Sequence, residues 1–283
     1  MLSVRMLGVL TVSVDGSRIN DDLGPTGRLL SGYLFEYSDH VHRRERLADM
    51  FWGRLDPDRA RAAFNTALWR LRKLLAREPC SEGGQNLRTY GAEIVLEKAP
   101  WLTIDTHRFA AAVMQRMELQ SVAEVAARMA VLESAIQNYA GPFLEGEDAD
   151  WILEERERLH TLYVRAESEL MRCYGSTECY EDAIAAARRI LVVDPFRESV
   201  FRSLALLFVL NGQRGKALCH YERWRTVFRT ELGVDPMPQT VRLAEDIRSG
   251  NIFDSMDALK EQFFRWPEAT VPNQRSNGYV RNA

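Results

Sequence analysis

Between Asp58 and Arg77 the chain sets Arg59, Thr66, Arg70, Lys73 and Arg77 at spacings of three, four and seven residues. At about 100° per residue these fall on one side of a helix together with Ala62, with Trp69 at the margin. Phe64, Leu68, Leu71 and Leu75 form a narrow apolar stripe on the other side. Cations interspersed with small residues suit a duplex: the small side chains let the backbone approach base edges, and Arg and Lys reach phosphates or guanine acceptors. A solvated basic face has the same composition, so the neighbouring segments decide between the two readings. Arg43, Arg44 and Arg46 open the preceding helix, either near the nucleic-acid backbone or as plain surface charge. Downstream, Arg88 is expected at the tip of a β-hairpin, within reach of an adjacent minor groove.

Enzymatic chemistry finds little support. His40, His42, His107, His160 and His220 are scattered, and the His40-x-His42 pair has no carboxylate or thiol beside it to complete a metal site. Gly212-Gln-Arg-Gly215-Lys216-Ala217 lacks both the spacing and the hydroxyl of a phosphate-binding loop. The acidic run Glu145-Gly-Glu-Asp-Ala-Asp150 does not fit a calcium loop and reads as the cap before a helix. Cys80, Cys173, Cys179 and Cys219 form no C-x-x-C pair and are expected as free buried thiols. No cofactor, metal site or catalytic constellation is expected.

The elements that must present the basic helix can be read from pattern. Val4, Met6 and Gly8, then Leu10, Val12 and Val14, alternate as strands do, and Asp15-Gly16 is a hairpin dipeptide leading to a short strand at Arg18-Ile19. Gly24-Pro25-Thr26-Gly27 precedes a helix bearing Leu29, Leu30, Tyr33, Leu34 and Tyr37, and a second helix is predicted from Arg43 to Trp52. Asp56-Pro57-Asp58 supplies a turn and an acidic first turn for the third. Leu87–Tyr90 and Glu93–Leu96, split by Gly91-Ala92, complete the order of a winged helix preceded by a small sheet. From Asp105 onward only helices are predicted. Adding 34 to Leu170, Tyr174, Ala183, Ala187 and Ile190 gives Leu204, Phe208, Ala217, Tyr221 and Trp224, the period of tetratricopeptide helix pairs.

The 283 residues are 46% hydrophobic and 27% charged, which suits a soluble protein of about two domains. Their formal net charge of −3 hides an excess of ten basic over four acidic residues within 43–77, and local charge is what a phosphate feels. No stretch approaches the roughly 18 apolar residues of a membrane span, and the first residues show no secretory leader, so the expected location is the cytoplasm. The expected organisation is an α+β winged helix at 1–98, an all-α tetratricopeptide-like domain at 100–250, and a flexible tail at 251–283.

Arg43-Arg-Glu-Arg-Leu47, Trp52 and Ala60-Arg-Ala-Ala-Phe-Asn-Thr-Ala-Leu-Trp-Arg-Leu-Arg-Lys-Leu74 resemble the OmpR-like winged helix of the SARP regulators. The second half is similar to their bacterial transcriptional activator domain. That likeness is carried by Ile104-Asp105, Phe109, Tyr139-Ala-Gly-Pro-Phe-Leu144, Trp151-Ile-Leu-Glu-Glu-Arg-Glu-Arg-Leu159, Tyr180-Glu-Asp-Ala-Ile184, Asp194-Pro195, Ala217, His220-Tyr221-Glu222 and Glu231-Leu-Gly-Val-Asp-Pro236. The resemblance implies a transcriptional activator that binds double-stranded DNA at direct repeats and helps recruit RNA polymerase. A homodimer on the repeated sites is compatible with it. It also implies that Thr66, Trp69, Arg70, Arg72 and Lys73 face bases and phosphates. An adaptor or ligand sensor, whose winged helix binds protein instead, is the alternative from a different class.

Overall fold

A computed structural model describes residues 1–19, 23–76, 86–117, 119 and 121–264 of the chain. They divide into two compact units, Met1–Met117 with Ala127–Ala166, and Glu118–Ala126 with Glu167–Ala283. No helix among the described residues is long and apolar enough to cross a membrane.

The first unit opens with β1 (Leu2–Arg5), β2 (Thr11–Val14) and β3 (Ser17–Arg18). Asp15 and Gly16 both take positive φ, 46° and 84°, which is what a two-residue hairpin needs to match the strand twist. Three helices follow, α1 (Pro25–Glu36), α2 (Arg44–Trp52) and α3 (Pro57–Leu75). The two-residue strand β4 (His42–Arg43) precedes α2 and pairs with the hairpin β5 (Leu87–Tyr90) and β6 (Glu93–Leu96) in the order β4-β6-β5. Three helices and a small antiparallel sheet thus stand in the predicted order.

The expected break near residue 99 is not a boundary between compact units. Residues 102–104 form a further strand, β7 (Leu102–Ile104), which pairs parallel to β1 and closes the order β3-β2-β1-β7. Helix α4 (Asp105–Met114) starts directly from it. The Asp105 carboxylate accepts the N–H groups of Met6 (2.8 Å), Leu7 (3.0 Å) and Thr106 (2.8 Å), tying the start of α4 to the end of β1. The 139–144 segment lies against the same strand end: Leu144 N–H donates to Met6 O, and Phe143 is fully buried. Helix α5 (Val122–Gln137) is fixed to α4 by Arg128, which is 2% exposed and donates to the carbonyls of Ala112 (2.7 Å) and Val113 (3.1 Å). Such capping satisfies carbonyls that have no partner inside their own helix.

A buried polar cluster joins α1, α4 and the first part of α6 (Asp150–Ser176). Glu36 accepts from Thr106 Oγ1 at 2.5 Å, Arg158 Nη2 lies 3.4 Å from its other oxygen, and Glu155 is buried beside it. Burial, with Glu155 as a like-charged neighbour, pushes the Glu36 carboxyl up to about 8. Trp151 packs edge-on against Tyr33, with ring centroids 5.1 Å apart.

The second unit is helical, with α7 (Tyr180–Val193), α8 (Glu198–Leu210), α9 (Arg214–Leu232) and α10 (Pro238–Ser249). α7 and α9 start 34 residues apart, and of the ten positions paired by that period only Tyr174 is not fully buried. Phe201 stacks on Trp224 at 4.3 Å, and Trp224 donates its indole N–H to Pro195 O. Residues after 250 differ from expectation as far as they are described. A 3-10 turn (Asn251–Ser255) and α11 (Met256–Phe264) follow, with Ile252 and Phe264 buried and the Phe264 ring against Gly175. Residues 265–283 lie outside the described residues.

Candidate nucleic-acid interface

Helix α3 is built to expose one side. Asp56 caps it by accepting from Arg59 N–H (3.1 Å), Pro57 occupies the first turn, and Asp58 complements the helix dipole. Ala60, Phe64, Ala67, Leu68, Leu71, Leu74 and Leu75 are buried, each at most 6% exposed. Burying Phe64 and the leucines fixes the rotation of the helix, so the opposite residues must face out. Arg59, Ala62, Asn65, Thr66, Trp69, Arg70 and Lys73 are exposed there, as the periodicity predicts for all but Asn65.

Each side chain has a particular state. Arg59 lies 3.2 Å from its own cap, Asp56, so part of its charge is already engaged. Thr66 donates its hydroxyl to Ala62 O (2.9 Å), which leaves its methyl and an oxygen lone pair for a partner. Trp69 is 60% exposed, with Lys73 Nζ 5.4 Å from its ring centroid. Among the described residues, Arg43, Arg46, Arg70 and Lys73 form no ion pair. The Arg70 guanidinium lies close to Gly24 at the start of α1, so that a Cβ on Gly24 would stand 3.5 Å from its Nη1.

Three expected contacts are engaged within the protein. Arg44 donates to Asn65 Oδ1 at 2.6 Å, with its guanidinium carbon 5.8 Å from the Phe64 ring centroid. Arg72 is half-buried and donates to Thr89 Oγ1 at 2.6 Å, binding α3 to strand β5. Arg88 is not at the wing tip: it pairs with Val95 inside the hairpin, three residues before Gly91 of the turn, and lies 2.9 Å from Glu97. Tyr90, Gly91, Ala92 and Glu93 form that tip, all exposed. Arg77 lies outside the described residues.

Asn65 is what sequence reasoning missed. Its signal was present: Asn is a poor helix interior residue, and its place there calls for another reason. With Oδ1 held by Arg44, its NH2 remains able to donate to an acceptor on a base edge.

The other candidates do not gather. His40 and His42 sit among Tyr33 and Tyr37 and contact the carbonyls of Ser38 and Tyr37, and burial lowers the His42 pKa. Among the described residues no three His, Cys, Asp or Glu side chains could hold a metal ion. Of the cysteines expected to be buried, only Cys173 is; Cys179 and Cys219 are exposed, and Cys80 lies outside the described residues.

The family profile of the bacterial transcriptional activator domain matches residues 104–248. Transcriptional regulatory protein MoaR1 of Mycobacterium tuberculosis is 27% identical over 256 residues, which cover 84% of this chain and 76% of that protein. Regulatory protein AfsR of Streptomyces griseus is 26% identical over 234 residues, covering 82% of this chain but 23% of AfsR. The solved structure of Mycobacterium tuberculosis EmbR in complex with a low-affinity phosphopeptide superposes with a TM-score of 0.73 at 22% identity, over 92% of this chain and 68% of that one. The profile match spans half of the chain, so the chain belongs to the bacterial transcriptional activator domain family and is a transcriptional regulator of the SARP type.

Proposed function

We propose that the chain activates transcription by docking α3 in the major groove of double-stranded DNA, with its second, tetratricopeptide-like unit contacting the transcription machinery, RNA polymerase included. The observation that carries this reading is the exposed row Ala62, Thr66, Arg70 and Lys73 on a helix whose other side is filled by buried leucines and Phe64. Asn65 and Trp69 flank the row and add one hydrogen-bonding and one apolar surface for base edges. Phosphates are met by Arg70 and Lys73 and, at the start of α2, by Arg43 and Arg46. Arg44 and Arg72 act indirectly, one by orienting Asn65 and the other by holding the hairpin to the helix.

A mobility-shift titration of the full chain against the DNA upstream of its own gene, at 50 and 200 mM salt, tests the reading. Retardation that weakens steeply with salt supports it. Absence of retardation at low salt, on this fragment and on a pool of genomic fragments, overturns it in favour of the adaptor.

A further inference from the structure

The outer side of the first sheet carries a cleft that the nucleic-acid interface does not use. β1 and β7 form its floor, and α4 and residues 130–138 its two walls, every lining residue belonging to the first unit. Its volume is about 440 Å³, inside the roughly 300–1,000 Å³ range of small-molecule sites. The helical walls are held in place by Arg128, which caps α4 from α5, so the cleft is bounded by a fixed pair of helices.

The lining has two chemical halves. Phe109, Ala112, Val131 and Ala135 make an apolar surface between the helices. Arg5 and Arg108 bring two cations to the same cleft; neither makes an ion pair or side-chain hydrogen bond among the described residues, although the Arg5 charge is felt by the Asp105 carboxyl. Asp105 is the one carboxylate among the described residues of the lining, but its oxygens already accept from the N–H groups of Met6, Leu7 and Thr106. Two guanidiniums against one carboxylate leave a net positive site beside an apolar wall. Guanidinium offers a planar fork of donors matched to carboxylate oxygens, and an apolar body attached to that carboxylate would cover the helical wall.

We propose that this cleft is a ligand site for a small organic anion, a carboxylate on a short hydrocarbon body, held by Arg5 and Arg108 at its head and by the Phe109–Val131 wall along its chain. Ser134, exposed in the lining on α5, marks where a bulky residue would fill the space.

Octanoate is the probe, with 1-octanol and inorganic phosphate as its uncharged and headgroup-only counterparts. Calorimetric titration of the full chain should show saturable octanoate binding, with a dissociation constant on the order of a millimolar or below for so small a molecule. Octanol and phosphate should each bind about tenfold more weakly, because each lacks one half of the match. R5Q and R108Q should each weaken octanoate about tenfold, the scale of one charge-assisted hydrogen bond, and S134W should abolish binding. R242Q, at an exposed arginine of α10, should bind octanoate like the unmodified chain. Circular dichroism confirms that each variant is folded, and both arginines are exposed, so their loss should leave the fold intact. Octanoate binding that is unchanged in R5Q, R108Q and S134W, equal affinity for octanol, or no saturable binding up to roughly 10 mM overturns the proposal.

Discussion

Removing Arg70 and Lys73 is the sharpest probe of the proposed docking of α3. Both are exposed, neither is ion-paired among the described residues, and neither supports the core, so R70A and K73A change charge without changing the fold. The affinity of a protein for duplex DNA falls with salt with a logarithmic slope of about −0.9 for each phosphate neutralised. If both side chains meet phosphates, the double variant should show a slope shallower by about 1.8. Between 50 and 200 mM salt the unmodified chain should then lose about 12-fold more affinity than the double variant, and about 3.5-fold more than either single variant. R242Q, on the second unit, should leave the slope unaltered. Mobility-shift or fluorescence-anisotropy titrations at four or more salt concentrations measure these slopes directly. Variants that bind more weakly but with the original slope would mean that Arg70 and Lys73 meet no phosphate, and the proposed orientation of α3 would have to be abandoned.

Other perturbations reach different parts of the molecule. N65A should relax the preference at one base pair, costing about 1–3 kcal/mol on the preferred site and little on unrelated DNA, and R44A should act in the same direction; unchanged selection from a randomised DNA pool in both would remove Asn65 from the readout. Glu36 is raised from 4.5 to about 8, so the folded chain keeps a proton that the unfolded chain releases. The stability this confers is complete below about 4.5 and is lost as pH rises through about 8, at up to about 1.4 kcal/mol per pH unit. Denaturant unfolding should show that decline between pH 5 and 8, and E36Q should flatten it; parallel profiles for the two proteins would refute the assignment. F64A, at a side chain 2% exposed beneath Arg44, should destabilise the first unit by about 3–5 kcal/mol in the same assay. G175A would place a Cβ 2.5 Å from the Phe264 ring and should destabilise the second unit by about 1–3 kcal/mol, a loss that F264A added to it should partly relieve.

Periodicity made the exposed side of α3 legible. The spacing of Phe64, Leu68, Leu71 and Leu75 is a statement about rotation around one helix axis, and a helix buries its apolar stripe wherever it packs. The exposed row of Ala62, Thr66, Arg70 and Lys73 therefore followed from local information. So did the Asp15-Gly16 hairpin, whose positive φ angles are intrinsic to that dipeptide, and the 34-residue recurrence that buries Ala183, Ala187 and Ile190 beside Ala217, Tyr221 and Trp224.

Partnerships across the chain were not legible. β4 and β7, two and three residues long, are strands only because Glu93–Leu96 and Leu2–Arg5 lie alongside them. A parallel pair between residues some 100 positions apart leaves no local pattern, so the strand at Leu102–Ile104 is not legible from the sequence around it. Nor does charge in a sequence say who has claimed it. Arg70 and Lys73 form no ion pair among the described residues, while Arg72 and Arg88 are committed to Thr89 and Glu97, partners supplied by the hairpin of β5 and β6 and the residue that follows it.

The helical period alone thus determined which side of α3 faces away from the core. Which of its cations remain available, and the amide that Arg44 holds beside them, were decided by segments distant in sequence. A hydrogen bond depends on where two groups meet in space, and one-dimensional spacing records only the group on one side of it.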